Sequence, residues 1–113
     1  MNLENTAFTP QEEEDLARCL WTIGDLTRLR ILELLPSSPE CEEGKNVTEL
    51  AEILDLKQST VSNHLARLRT LGIVRHTRQC RDVYYWVCPE RAEQIVNQLQ
   101  RSLKLVAPSG ARK

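Results

Sequence analysis

Val47-Thr48-Glu49-Leu50-Ala51-Glu52-Ile53-Leu54, then Asp55-Leu56-Lys57, then Gln58-Ser59-Thr60-Val61-Ser62-Asn63-His64-Leu65-Ala66-Arg67-Leu68-Arg69-Thr70-Leu71-Gly72: the reading of this stretch decides the fold. Leu50, Ala51, Ile53 and Leu54 recur at helical spacing, with Asn46 placed to cap and Glu49 three residues further on. Val61, Leu65, Leu68 and Leu71 share one face of a second helix, about 58–71, which Gly72 closes. A three-residue turn, Asp55-Leu56-Lys57, joins the two. Two helices joined so tightly, the second with a polar N-terminal surface, make a helix-turn-helix.

Upstream, Thr9-Pro10-Gln11-Glu12 reads as a helix start in which Thr9 caps, Pro10 fits the first turn and Glu12 completes a capping box. Glu12, Glu13, Glu14 and Asp15 sit where the helix dipole favours negative charge, so the acidic run is a solvated helix start rather than a ligand site. Leu16, Cys19, Leu20 and Ile23 form the apolar stripe of that helix. A second helix covers about 26–35 and stops at Pro36, and the turn-formers and charges of 36–46 make a surface loop.

Downstream the period changes. Residues 73–78 and 83–87 are rich in β-branched and aromatic side chains around a polar turn, Gln79-Cys80-Arg81-Asp82, which predicts a hairpin. A last helix is expected over about 90–105, with Ile95, Val96, Leu99 and Leu103 apolar. The fold class is therefore mainly α with a β-hairpin wing (α+β), a winged helix-turn-helix in the order α-α-α-α-β-β-α. The expected organisation is an N-terminal arm (1–10), one folded domain (11–106) and a flexible tail (107–113), with no internal repeat.

The chain has 113 residues, one domain's worth, with 41% apolar and 27% charged residues, values that argue against disorder throughout and against a fibre. No apolar run approaches the roughly 20 residues that cross a bilayer, and Met1-Asn2-Leu3-Glu4 does not open a secretory signal, so a cytoplasmic protein without membrane contact is expected. The net charge of −1 argues, taken alone, against a duplex binder. Its distribution argues the reverse. Residues 1–55 hold thirteen acids and four bases, whereas residues 56–113 hold three acids and eleven bases. Between Leu56 and Arg81 stand six bases, Lys57, Arg67, Arg69, Arg75, Arg78 and Arg81, and no acid.

The N-terminal residues of the second helix of such a motif reach base edges in the major groove. Here they are Gln58, Ser59, Thr60, Ser62 and Asn63, of which Gln and Asn can bind adenine bidentately while Ser and Thr are adaptable. Lys57, Arg67, Arg78 and Arg81 suit phosphates, with Gln79 beside them at the wing tip. Only two histidines occur, His64 on the second helix and His76 on the wing. No nucleophile, base and orienting group come together, so neither an enzyme nor a cofactor is expected.

At these residues the chain resembles the ArsR/SmtB family of winged-helix bacterial repressors. The resemblance rests on Gly24-Asp25-Leu26-Thr27-Arg28-Leu29-Arg30-Ile31-Leu32-Glu33-Leu34-Leu35, on Val47-Thr48-Glu49-Leu50-Ala51, and on Gln58-Ser59-Thr60-Val61-Ser62-Asn63-His64-Leu65-Ala66-Arg67-Leu68. It continues through Leu71-Gly72-Ile73-Val74, Arg78-Gln79 and Tyr84-Tyr85, and spans roughly residues 14–105. The resemblance implies a homodimer that binds an imperfect palindrome of double-stranded operator DNA and leaves it when an inducer binds. It also implies dimerisation through the first and last helices, which carry Leu16 and Leu20, and Ile95, Leu99 and Leu103. His64, in the Ser-x-x-Ser-x-His-Leu pattern, is expected to pack or to meet phosphate. The chain departs from the pattern at two places: Lys57 stands where the family often has a capping Ser, and Cys80 where it commonly has a wing-turn Gly.

The resemblance also frames the signal. The short helix lacks the family's Cys-x-Cys metal site, and residues 90–105 contain no histidine for the site of the last helix, so no metal ligands are assigned. Four cysteines remain. Cys19 on its apolar stripe and Cys88 at the end of the hairpin are expected to be structural. Cys80 lies between Arg78 and Arg81, whose charge favours thiolate, and Cys41 lies in the loop before the short helix among Glu40, Glu42 and Glu43. Cys41 and Cys80 are the effector candidates, with oxidation the expected signal. The alternatives are a metal or metalloid ion held by thiolates and, more distantly, a winged helix that binds protein and not DNA.

Overall fold

The computed structural model describes residues 8–39, 44–79 and 81–105. Five helices and one hairpin follow in the expected order: α1 (Pro10–Ile23), α2 (Leu26–Leu34), α3 (Val47–Leu54), α4 (Gln58–Thr70), β1 (Val74–Gln79), β2 (Asp82–Val87) and α5 (Pro89–Ser102). Most of the expected arm, the whole of the expected tail, and Cys41 and Cys80 lie outside the described residues.

Helix starts follow the caps. Thr9 Oγ1 accepts from Glu12 N at 3.1 Å while Glu12 Oε1 accepts from Thr9 N at 2.9 Å, a closed capping box. Asn46 and Glu49 form a second box at the start of α3, with distances of 2.8 and 3.0 Å. Asp25 caps α2 by accepting from Arg28 N at 3.1 Å.

The ends of α3, α4 and α5 share one device. Asp55, Gly72 and Lys104 are left-handed, with φ of 58°, 76° and 65°. In each case the amide of the next residue reaches back across the last turn: Leu56 to Ala51 O at 2.9 Å, Ile73 to Leu68 O at 3.0 Å, Leu105 to Gln100 O at 2.8 Å. Gly72 is the one that needs no side-chain accommodation. The same motif stops α5 at Ser102, short of the expected 105, because Lys104 takes the left-handed position that the sequence marks with no glycine.

The hairpin pairs Val74 with Val87 through to Gln79 with Asp82, and Arg81, just before Asp82, carries a left-handed φ of 67°. The loop before α3 runs beside β2. Lys45 O accepts from Tyr85 N at 3.1 Å, Pro36 O from Val87 N at 2.8 Å, and Pro39 O from the Gln79 side chain at 3.0 Å.

Leu16, Cys19, Ile31, Leu50, Val61, Leu65, Leu68, Ile73, Val74 and Ile95 make the core, drawn from every helix and from the base of the hairpin. Arg91 ties its periphery together. Its guanidinium meets Asp15 on α1 at 2.9 Å and Cys19 Sγ at 3.2 Å, and its Nε donates to Leu71 O at the end of α4 at 2.8 Å. No helix among the described residues is long and apolar enough to cross a membrane.

Candidate nucleic-acid interface

Val61, Leu65 and Leu68 anchor α4 in the core, which fixes the side it turns outward. Lys57, Gln58, Ser59, Ser62, Asn63 and Arg67 are exposed, whereas Thr60 and His64 are half-buried at the edge. The N-terminus of α4 has no side-chain cap, because Lys57 occupies the capping position and offers no acceptor. Its first-turn amides are therefore open to an external acceptor, and the helix dipole favours an anion there.

His64 is held from behind. Its Nδ1 accepts from Arg28 Nε at 3.0 Å, and Arg28, itself buried, also donates from Nη1 to Thr22 O at 3.0 Å. Burial pushes the His64 pKa down, and the neighbouring guanidinium pushes it further. The ring is thus kept neutral, with Nδ1 as acceptor and the proton on Nε2. This contact packs His64 against α2 through Nδ1. Sequence reasoning missed Arg28, whose signal was a charge set within the apolar spacing of Leu26, Leu29 and Ile31.

The wing supplies a second basic face. Arg78 and Arg81 are exposed at its tip, while Gln79 is half-buried and tied to Pro39 O. Arg69 on α4 and Arg78 on β1 both act on His76, whose pKa is lowered first by burial and then by these two charges. Arg69, His76 and Arg78 are all exposed and close enough to act on one another electrostatically; Arg69 and His76 are additions to the expected set. His76 packs edge-on to Tyr85, with ring centroids 5.6 Å apart. Asp82, the acid of the wing, is occupied elsewhere: its Oδ2 accepts from Asn46 Nδ2 at 2.7 Å and its Oδ1 from Val83 N at 3.0 Å. Asn46 therefore caps α3 and braces the wing at once.

Of the expected dimer stripes, Leu16 and Ile95 are buried within the chain itself and Leu99 is half-buried, whereas Leu20 and Leu103 are exposed. Val96, Leu26 and Leu29 add to the exposed apolar surface. Of the thiols within the described residues, Cys19 is fully buried, with its pKa raised by that burial against the lowering effect of Arg91. Cys88, also buried, caps the start of α5 and donates to Glu90 Oε1 at 3.4 Å. Among the described residues no group of three or more His, Cys, Asp or Glu side chains is placed to hold a metal ion.

A helix-turn-helix with a polar reading face and a basic wing defines the winged-helix class of transcriptional regulators. The family model described as bacterial regulatory protein, arsR family, matches residues 25–76. The transcriptional repressor PagR of Bacillus anthracis is 35% identical over 86 residues, 76% of this chain and 82% of PagR. The crystal structure of PagR matches with a TM-score of 0.60 at 34% identity, covering 80% of this chain and 99% of that one. The cadmium resistance transcriptional regulatory protein CadC homolog of Staphylococcus aureus is 30% identical over 111 residues, 97% of this chain and 88% of its own. Reduced HlyU from Vibrio cholerae N16961 matches with a TM-score of 0.59 at 29% identity, covering 82% of this chain and 92% of that one. The chain belongs to the ArsR family of bacterial transcriptional regulators.

Proposed function

We propose that the chain is a sequence-specific DNA-binding repressor, a homodimer on an imperfect palindrome, released by a thiol-sensed signal. The observation that carries the DNA reading is the exposed, uncapped N-terminal half of α4 in a chain that also exposes Arg69, His76 and Arg78. Phosphate contacts from the arginines position the helix, and Gln58, Ser59, Ser62 and Asn63 read bases. The exposed Leu20, Val96 and Leu103 suit the pairing of a second copy. Selection of duplexes from a random pool tests this directly. A dimer recovers paired half-sites about one helical turn apart; a pool that yields no enriched sequence contradicts the reading and favours a protein-binding module.

Oxidation by peroxide or a similar oxidant is the proposed signal, with Cys41 and Cys80 as the sensing thiols. Supporting it, the residues near them, Pro39 and Gln79, are joined by a 3.0 Å hydrogen bond. Oxidation of either thiol would act on the loop before α3 and on the wing together. That a related regulator has been solved in a form called reduced agrees with redox chemistry in the family. The second reading is metal or metalloid sensing, favoured by the name of the cadmium resistance relative. Titrating DNA binding with peroxide, then with arsenite and zinc, decides between them. Ser variants of Cys41 and Cys80 are compared with those of Cys19 and Cys88, the buried thiols. Release by peroxide that Cys41→Ser or Cys80→Ser abolishes supports the proposal; release by a thiophilic ion alone overturns it.

A further inference from the structure

Trp21 on α1 is 72% exposed, the most exposed large apolar side chain among the described residues. Beneath its ring, 5.9 Å from the centroid, lies the guanidinium of Arg28, the same group that holds His64 of α4. On its other side Trp21 joins Arg18, Thr22, Arg67, Thr70 and Leu71 in an open groove of about 340 Å³ between α1 and the C-terminal half of α4. The lining holds two arginines and no acid.

Three features narrow the occupant. The groove is continuous with the proposed reading face through Arg67, which belongs to both. Its charge complements an anion. Gln58 and Arg67 are nine residues apart on α4, about 13.5 Å at the rise of an α-helix, a span close to the roughly 12 Å width of the major groove. When the N-terminus of α4 stands at base edges, Arg67 thus lies at a bordering phosphate strand.

We propose that this groove grips the sugar-phosphate backbone of the operator. Arg18 and Arg67 pair with a phosphate, and the Trp21 ring covers the adjoining sugar while its indole N–H donates to a phosphate oxygen. The inference rests on the DNA-binding reading and adds a contact from α1, outside the helix-turn-helix and the wing. It carries affinity, not sequence preference, since it touches no base.

The test uses the full chain carrying Trp86→Phe, so that Trp21 is its sole tryptophan, with a duplex enriched from the random pool and a scrambled duplex as probes. Adding either duplex is expected to quench Trp21 emission. Trp21→Ala and Arg18→Gln, measured in the otherwise unaltered chain, are each expected to weaken binding to both duplexes about tenfold. Arg18→Gln, which leaves the Arg28 contact untouched, also lowers the slope of log affinity against log salt by about one. The proposal is overturned if both variants bind as tightly as the parent while Trp21 emission ignores DNA. It is equally overturned if that emission changes with protein concentration alone, which assigns the groove to a second copy or another protein. Failure of the parent chain to bind any duplex removes the DNA-binding reading itself, a result distinct from both.

Discussion

The Nε of Arg28 donates to Nδ1 of His64 across 3.0 Å and so joins α2 to the middle of α4. The partners are 36 residues apart in sequence, and one of them is a buried cation that also holds Thr22 O. The bond exists only while His64 is neutral, because a protonated ring has no acceptor to offer. The anchoring of α4, the proposed reading helix, is thereby coupled to acidity.

The sign of that coupling follows from the lowered pKa of His64. The folded chain disfavours the proton that the unfolded chain accepts near pH 6.5, so the stabilisation is complete above about pH 6.5 and is lost as pH falls through the folded value. Thermal unfolding at pH 7.5 and pH 5 measures it. His64→Gln is expected to be less stable than the parent at pH 7.5, with the gap narrowing at pH 5; a gap independent of pH contradicts the account.

His76 is expected to act on DNA binding in the opposite sense. Burial and the charges of Arg69 and Arg78 hold its pKa down in the unbound chain. A phosphate bound beside Arg69 and Arg78 offsets those charges and favours the proton, so binding takes one up and tightens as pH falls from 7.5 to 5.5. Fluorescence anisotropy across that range checks this. His76→Gln is expected to flatten the profile.

Lys57 sets stability against binding. Restoring a cap with Lys57→Ser is expected to stabilise α4 by about 1 kcal/mol, the usual worth of a capping side chain. The same change removes a positive charge at the reading end and is expected to lower the salt slope of DNA binding by about one. Urea unfolding and a salt titration on the same variant should move in opposite directions.

Asn46 links two elements. Asn46→Ala removes the α3 cap and the 2.7 Å bond to Asp82 together. A stability loss of about 1–2 kcal/mol is expected for the cap. The wing also loses its brace, so DNA affinity is expected to fall more than in a variant matched for stability but distant from the wing. An affinity that tracks stability alone contradicts the bracing role.

The sequence shows most where structure is local. Thr9, Asn46 and Gly72 announce their helix ends, and the change of period after Gly72 announces the hairpin. Lys104 hides an equally regular helix end, because a left-handed lysine leaves no compositional mark. The apolar stripes of α1 and α5 were visible, but periodicity does not say which angle of a stripe faces inward. Leu16 and Ile95 fill the core while Leu20 and Leu103 stay exposed. Charge order marked out the proposed reading face. The pairing of Arg28 with His64, and the convergence of Arg69 with His76, depend on tertiary packing and carried no local signal.

The central claim is that α4 reads bases while the wing holds phosphate, and anisotropy with a duplex from the selected pool, across a range of salt, tests it most directly. The account predicts a steep fall of affinity with salt, a slope smaller by about one for Arg78→Ala, and a relaxed sequence preference with unchanged slope for Gln58→Ala. Binding whose salt slope and sequence preference both ignore these two changes would contradict it.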